Sequence, residues 1–483
     1  MDQILFTHSY FLRFDPKQWE KGQPYAPLGT LYAAAFLREN GYKVSLFDTM
    51  FAVNPDEAVA EIEKQRPAFF VIYDDGFNYL TKMCLTNMRE AAYRMIRIAR
   101  ERNCIVILSS SDSTDHYKEY LEQGADFILL GEAELTLLEL TRSISSGSND
   151  FASIQGLAYV EGNQAIKTPK RNVIKDLDSL PFPAWDLIDM EPYRKMWMKS
   201  SGYFSMNMGT TRGCPFKCNW CAKPIYGNRY NSRSPQNVTG ELKMLKKKYR
   251  FDHIWFCDDI FGLKPGWVNE FATLVEQENL HFKFKIQSRA DLLVQENYIQ
   301  ALARAGCENA WMGAESGSQK ILDAMDKGTT IAQIYEATRM LKKHGVHPSF
   351  FIQFGYLDET KEDIDKTIRM INELLPYELG ISVSYPLPGT KFFEKVKDQL
   401  KEKSNWTDSD ELKLMFNNTY PPAFYKHLHR YVHKNYRKHL GLETIKTFFS
   451  NPVALSYGNL KRAASVIYYI PAAFLAKRKM EMF

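Results

Sequence analysis

Hydrophobic positions along the first third of the chain change period in a regular way. Short runs rich in β-branched and aromatic residues, ILFTH (4–8), KVSLFD (43–48), FFVIYD (69–74), CIVILSS (104–110) and DFILLG (126–131), read as strands. Between them lie stretches of helical spacing that close on glycine, such as LGTLYAAAFLRENG (28–41). Strand and helix alternating over residues 1–145 predict an α/β domain of the Rossmann-like (flavodoxin-like) kind, a parallel sheet with helices on both faces. Ligands of such sheets sit beyond the carboxyl ends of the strands, where this chain has His8, Asp74, Asp75, Ser109, Ser110, Ser111, Gly131 and Glu132. Turn and cap chemistry is the plainer account of each of these taken singly.

The alternation lapses over residues 146–200. SSGSND reads as a polar linker, IQGLAYVEGNQAIK as a hairpin turning at Glu161 to Asn163, and LDSLPFPAWDLIDMEPY as a proline-punctuated crossing. From 201 to 400 it resumes, with strands at YFSMNMG, DHIWFCD, FKFKIQS, NAWMGAE, HPSFFIQFG and GISVSYP. Six βα units predict a partial (β/α)6 barrel of the TIM type, whose chemistry collects at the carboxyl ends of the strands. Those ends carry a cysteine cluster, Asp258 with Asp259, Gln287 with Arg289, Gly313 with Glu315, Gln353 with Gly355, and Tyr385. Polar sets recurring at equivalent positions are hard to ascribe to packing. Residues 401–483 read as a helical C-terminal region.

Composition sets the class. Of 483 residues, 45% are hydrophobic and 25% charged, as in a folded globular protein. Net charge is +5 on 62 basic and 57 acidic side chains, so no global field argues for a nucleic-acid partner. The opening MDQILFTHSYF lacks the basic region and the longer apolar run of a signal peptide, and seven cysteines, an odd number, read as reduced thiols of a cytoplasmic protein.

Three of those seven stand in TTRGCPFKCNWCAKPIYG as C-x3-C-x2-C: Cys214, Cys218 and Cys221. Chance would produce that pattern roughly 0.002 times in a chain of this cysteine content. Thiolates suit zinc or an iron–sulfur cluster. A closed zinc site needs a fourth ligand, and no Cys or His lies between Cys221 and His253, so zinc would require a distant partner. Three cysteines suffice for a cluster whose fourth iron is left open to a cosubstrate.

The stretch RGCPFKCNWC after a first barrel strand resembles the signature of the radical S-adenosylmethionine (SAM) enzymes. FCDDIFG, GAESGSQKILDAMDKGTT, FFIQFGYLDETKEDI and YPLPGTKFFEKV resemble the later motifs of the subgroup with an N-terminal cobalamin-binding domain. That subgroup includes radical methyltransferases and the anaerobic magnesium-protoporphyrin ester cyclases. YAPLGTLYAAAFLRENGYKVSLFD and GADFILLGEAELTLLEL extend the likeness through the first domain. The resemblance implies a [4Fe-4S] cluster on Cys214, Cys218 and Cys221, its open iron chelating the amino and carboxylate groups of SAM. It further implies that Asp258 or Asp259 steadies the amino group, that Glu315 meets the ribose, that Trp220 and Gly355 border the adenine, and that Arg289 joins this cofactor-binding set. Cobalamin is implied at the first domain's strand ends, with His8, Ser109, Ser110, Gly131 and Glu132 as its contacts. The D-x-H-x-x-G element that supplies a lower axial histidine in some cobalamin proteins is missing, and LSSSDSTDH stands where relatives have glycine-glycine-x-histidine.

The resemblance implies methyl transfer to an unactivated carbon, fed by an external electron donor such as flavodoxin or ferredoxin; a non-methylating cyclase or oxidoreductase is the alternative. An iron–sulfur binding or redox-sensing protein without turnover is the alternative of another class. A methylthiotransferase is disfavoured, because the first domain offers only Cys84 and Cys104 for a second cluster. Cys84, Cys104, Cys257 and Cys307 lie in apolar contexts and read as buried thiols. His427, His429, His433 and His439 sit among lysines and arginines and read as a solvated basic helix. Aromatic residues at 14% and a basic, apolar tail hint at a small apolar substrate such as a lipid, isoprenoid or tetrapyrrole. In that tail an apolar run from Ala463 to Ala476, interrupted by Pro471, is bracketed by Lys461, Arg462 and Lys477 to Lys479. Fourteen residues fall short of the ~20 that span a bilayer, which leaves two readings: a segment on the inner membrane surface, or a helix docked on the barrel.

Overall fold

The computed structural model describes residues 2–83, 85–400, 405–450 and 456–483; Cys84 lies outside them. The chain divides into two compact units, Met1–Phe216 with Ala222–Ile286 and Asn405–Glu411, and Lys217–Cys221 with Gln287–Ser404 and Leu412–Phe483.

The first unit holds a seven-stranded sheet of β1 (Gln3–Thr7), β2 (Lys43–Phe47), β3 (Phe69–Tyr73), β4 (Ile105–Ser109), β5 (Phe127–Leu129), β6 (Leu157–Glu161) and β7 (Gln164–Lys167). Its order is β2-β1-β3-β4-β5-β6-β7. The first five strands run parallel and the last two antiparallel. Alternate side chains bury on opposite faces, as a sheet covered on both sides requires. Leu5, Phe70, Ile72, Val106 and Leu108 join Met95 and Ile96 on one face. Ile4, Phe6, Phe69, Val71 and Ile107 join Leu37, Leu137 and Leu140 on the other. The hairpin read from the sequence forms around Gly162 and Asn163, both with positive φ, the conformation a two-residue turn demands. It adds β6 and β7 to the first sheet, so a boundary at 145 falls inside that sheet. The cause is the free edge of β5, which the hairpin covers.

The second sheet has six parallel strands, β8 (Ser205–Met208), β11 (His253–Phe256), β12 (Lys283–Ser288), β13 (Cys307–Glu315), β14 (His347–Phe354) and β15 (Leu379–Val383). Their order is β8-β11-β12-β13-β14-β15, the half-barrel succession expected of six βα units. Between β8 and β11 a two-stranded ribbon pairs β9 (Thr211–Arg212) with β10 (Asn231–Ser232). Two of the helices that follow the strands start at reciprocal capping boxes, Thr330 with Gln333 and Thr360 with Asp363.

Three helices follow in the second unit: α1 (Pro422–Ser450), α2 (Tyr457–Ala464) and α3 (Val466–Met480). Residues 405–411 precede them without helix and belong to the first unit. There Trp406 is buried, its carbonyl accepting from Thr86, and Ser409 donates to Asp15 at 2.8 Å. The expected basic helix is α1, and it is not solvated all round: Tyr425, Leu428, Val432 and Tyr436 are buried along one face.

Candidate functional site

In the first unit the path into the cysteine loop is fixed by Asp258, at the end of β11. Its carboxylate accepts the Thr210 and Thr211 amides, at 2.7 and 2.8 Å, and the Thr210 hydroxyl at 2.5 Å. Burial pushes this carboxyl up to about 6, against the pull of the Thr210 and Thr211 donors. Both oxygens are thus turned onto the end of β8. Asp259 is half-exposed and pairs with Lys82 at 2.8 Å. Cys257 is buried, its thiol donating to the Met208 carbonyl at 3.2 Å and pushed well up by burial, which suits an inert sulfur.

Arg212 is buried between Glu132 at 2.6 Å and Glu134 at 2.7 Å, with the rings of Tyr32 and Tyr226 each 5.2 Å from its guanidinium. Gly213 follows with φ near +83°; a Cβ there would lie 3.0 Å from the Gly227 carbonyl oxygen and closer still to that of Arg229, so only glycine fits. Lys223 ties the loop to itself through the Phe216 carbonyl at 2.6 Å and Asn228 at 2.9 Å. Cys214, immediately after Gly213, is buried.

In the second unit Cys218 and Cys221 are partly exposed and flank a turn closed by the Cys221 amide on the Cys218 carbonyl. Asn219, between them, is held on every side. Its amide nitrogen donates to the Met325 carbonyl at 3.0 Å, and its own carbonyl accepts from Phe392 at 2.9 Å. Its side chain donates to the Ala324 carbonyl at 2.7 Å and accepts from the Tyr356 hydroxyl at 2.8 Å. Glu315 ends β13 at a bulge with φ +57°, a costly conformation for a non-glycine residue, and accepts from the Lys327 ammonium at 2.7 Å. Burial opposes the charge on Lys327, but its neighbours, Glu315 first, hold its pKa above the ordinary value. Arg289 reaches Asp291 and the Lys327 carbonyl, both at 3.0 Å. The amide of Gly355, φ +75°, donates to Glu359 at 2.6 Å, and its carbonyl accepts from Asn418 at 2.7 Å. Glu359 is buried, and burial pushes its carboxyl up to about 8. Asn219, Lys327 and Glu359 stand inside the stretches RGCPFKCNWC, GAESGSQKILDAMDKGTT and FFIQFGYLDETKEDI, but nothing in those stretches marks them out; their burial and partners do.

The donor set fits what the motif implies. Each cysteine of a [4Fe-4S] cluster holds a different iron, so the thiols need not converge on one point. Among the described residues no group of three or more His, Cys, Asp or Glu side chains converges on one metal ion. Among the described residues of the second unit, the buried polar atoms without a protein partner include the Ser288 and Thr329 hydroxyls and the Trp220 indole nitrogen. Ser288 and Thr329 neighbour Arg289 and Lys327, and buried polar groups left open in this way await a polar ligand.

The five cobalamin candidates lie in the first unit, buried and bonded within it. His8 meets Asp48 at 2.9 Å, whose other oxygen accepts from Tyr193 at 2.7 Å. The Ser109 carbonyl accepts from the Asp74 amide, Ser110 caps the helix Ser111–Asp115, and Glu132 is held by Arg212 and the Ile174 amide. Gly131 has φ +77°, with room for a Cβ only at van der Waals distance from the Ile225 carbonyl, 3.5 Å away.

Comparison with known proteins bears on the family and the fold. Residues 208–371 match the model of the Radical SAM superfamily. An uncharacterized methyltransferase of Pyrococcus horikoshii is 29% identical over 79% of this chain and 80% of its own. The anaerobic magnesium-protoporphyrin IX monomethyl ester cyclase of Rubrivivax gelatinosus is 25% identical over 78% of this chain and 67% of its own. Among solved structures, the radical SAM methyltransferase TsrM of Kitasatospora setae, with cobalamin and a [4Fe-4S] cluster bound, superposes with a TM-score of 0.68. That match covers 82% of this chain and 78% of the other at 18% identity, and so speaks to the fold. The cysteine loop, the six parallel strands and the family match together identify residues 208–371 as a radical SAM domain.

Proposed function

We propose that the protein is a cobalamin-dependent radical SAM enzyme that methylates an unactivated carbon of a small molecule. The carrying observation is the cysteine loop, closed by Gly213 and pinned by Asn219. Cys214, Cys218 and Cys221 would hold the [4Fe-4S] cluster, which would supply the one electron that cleaves SAM to methionine and a 5′-deoxyadenosyl radical, and cobalamin would supply the methyl group. The chain's residues bind and orient. Lys327 and Arg289 offer cationic partners to a carboxylate, Ser288 and Thr329 offer hydroxyls, and Glu315 offers an acceptor for ribose. Gly355 would border the adenine by its main chain alone, since Leu414 and Tyr425 fill the space a Cβ would take. Asp259, half-exposed, suits an ammonium partner better than Asp258, whose oxygens are spent on Thr210 and Thr211.

The substrate we favour is apolar, of lipid, isoprenoid or tetrapyrrole type, and the electron donor a small flavodoxin or ferredoxin. The cyclase relative supports ring closure without methyl transfer as a second reading. Protein reconstituted anaerobically with iron, sulfide and hydroxocobalamin separates the two. Methyl transfer predicts that cobalamin co-elutes on gel filtration and that methyl-labelled SAM yields labelled cobalamin with S-adenosylhomocysteine. Loss of cobalamin on the column, with 5′-deoxyadenosine still formed, would reject methyl transfer.

A further inference from the structure

The helix α3 is apolar on two faces but covered on only one. Val466, Ala473, Ala476 and Met480 are buried, and Val466 seats against Gly441 of α1, where a Cβ has no room. The opposite face carries Ile467, Tyr468, Ile470, Phe474 and Leu475, each more than half exposed, and α2 adds Tyr457 and Leu460. A helix apolar all round is ordinarily buried, and a contiguous exposed apolar stripe marks an interaction surface.

Charge selects the partner. Lys461, Arg462, Lys477, Arg478 and Lys479 are all exposed and stand at the two ends of the stripe, and the one acidic side chain in residues 456–483 is Glu481, 3.8 Å from Lys477. The Arg478 guanidinium lies over the Phe474 ring at 4.9 Å, so cation and apolar anchor face the same way. Fifteen residues of helix extend about 22 Å, less than the ~30 Å hydrocarbon thickness, and no described helix is long and apolar enough to cross a membrane. A short helix with an apolar outer face, aromatic side chains and flanking lysines lies in the plane of a bilayer. We propose that α2 and α3 dock the protein on an anionic membrane surface, Ile467, Phe474 and Leu475 entering the acyl boundary and the five basic side chains meeting lipid phosphates. This inference does not depend on the enzymatic reading.

The test is co-sedimentation of the full chain with vesicles of phosphatidylcholine alone or mixed with phosphatidylglycerol. Binding is expected to the mixed vesicles and to weaken with salt. Lys477→Gln with Lys479→Gln should weaken it by roughly fivefold per residue. Ile467→Asp with Phe474→Asp should abolish it while leaving far-UV circular dichroism unchanged, as befits exposed positions. No binding by the parent chain, or equal binding by the Asp variant, overturns the proposal. So does a dimer on gel filtration that the Asp variant converts to monomer without any vesicle binding, which would assign the face to a second copy.

Discussion

Replacing Asn219 by alanine probes how the cysteine loop is held. The backbone bonds of residue 219 to Met325 and Phe392 survive the change, but its two short side-chain bonds, at 2.7 and 2.8 Å to Ala324 and Tyr356, are lost, along with a longer and weaker one to Asp326 at 3.3 Å. The Tyr356 hydroxyl keeps a second acceptor, the Ala324 carbonyl at 2.9 Å, so neither lost partner is left bare. Two such bonds contribute about 2 kcal/mol together, at ~1 kcal/mol each net. That is small against the 5–15 kcal/mol that typically stabilises a domain, so the chain should fold, and the change should appear as local opening of the loop. At ~1.4 kcal/mol per factor of ten, opening becomes roughly 30-fold more frequent. The assay is the rate at which a chelator strips iron from reconstituted protein under anaerobic conditions, with far-UV circular dichroism as the folding control. Asn219→Ala should lose iron ten to thirty times faster, on the order set by those two bonds. An unchanged rate would refute the pinning of the loop by Asn219.

Gly213→Ala should fold yet incorporate little iron, because the new Cβ meets two backbone carbonyls and the residue needs φ +83°; iron per chain measures it. Glu359 ionises near 4.5 when unfolded and near 8 when buried, so the folded state holds the extra proton between those values and stability falls as pH rises through that window. Glu359→Gln, which still accepts the Gly355 amide, should remove that slope, gaining stability over the parent at pH 8 but little at pH 5 by denaturant unfolding. Glu132→Ala leaves Arg212 still paired with Glu134 but strips the Ile174 amide of its acceptor, and should cost about 1–3 kcal/mol, seen as a lowered Tm.

What the sequence made legible follows from range. Strand ends and glycine-bearing turns are local events, and so β1 to β5, the Gly162–Asn163 hairpin and the six barrel strands could be read from runs of ten residues or fewer. The hairpin's place in the sheet could not, because it depends on the edge of β5, some thirty residues earlier. Cys214, Cys218 and Cys221 announce themselves by spacing, whereas Asn219 acts through Ala324, Met325, Tyr356 and Phe392, more than a hundred residues away. Asp258 was legible as a polar strand end, but its use on Thr210 and Thr211 was not, since an acid after a strand looks the same whether it faces a ligand or the neighbouring strand's end. Buried Lys327 and Glu359 look like ordinary surface residues until their burial is known.

The central claim is that the three cysteines serve one reductive cleavage, and a single measurement tests it most directly. Reconstituted protein is mixed anaerobically with dithionite and SAM, and 5′-deoxyadenosine is quantified by chromatography, in parallel with Cys218→Ala. The account predicts 5′-deoxyadenosine from the parent chain and none from the variant. A parent chain with its cluster intact by absorbance that forms no 5′-deoxyadenosine, or a variant that forms as much as the parent, would contradict it.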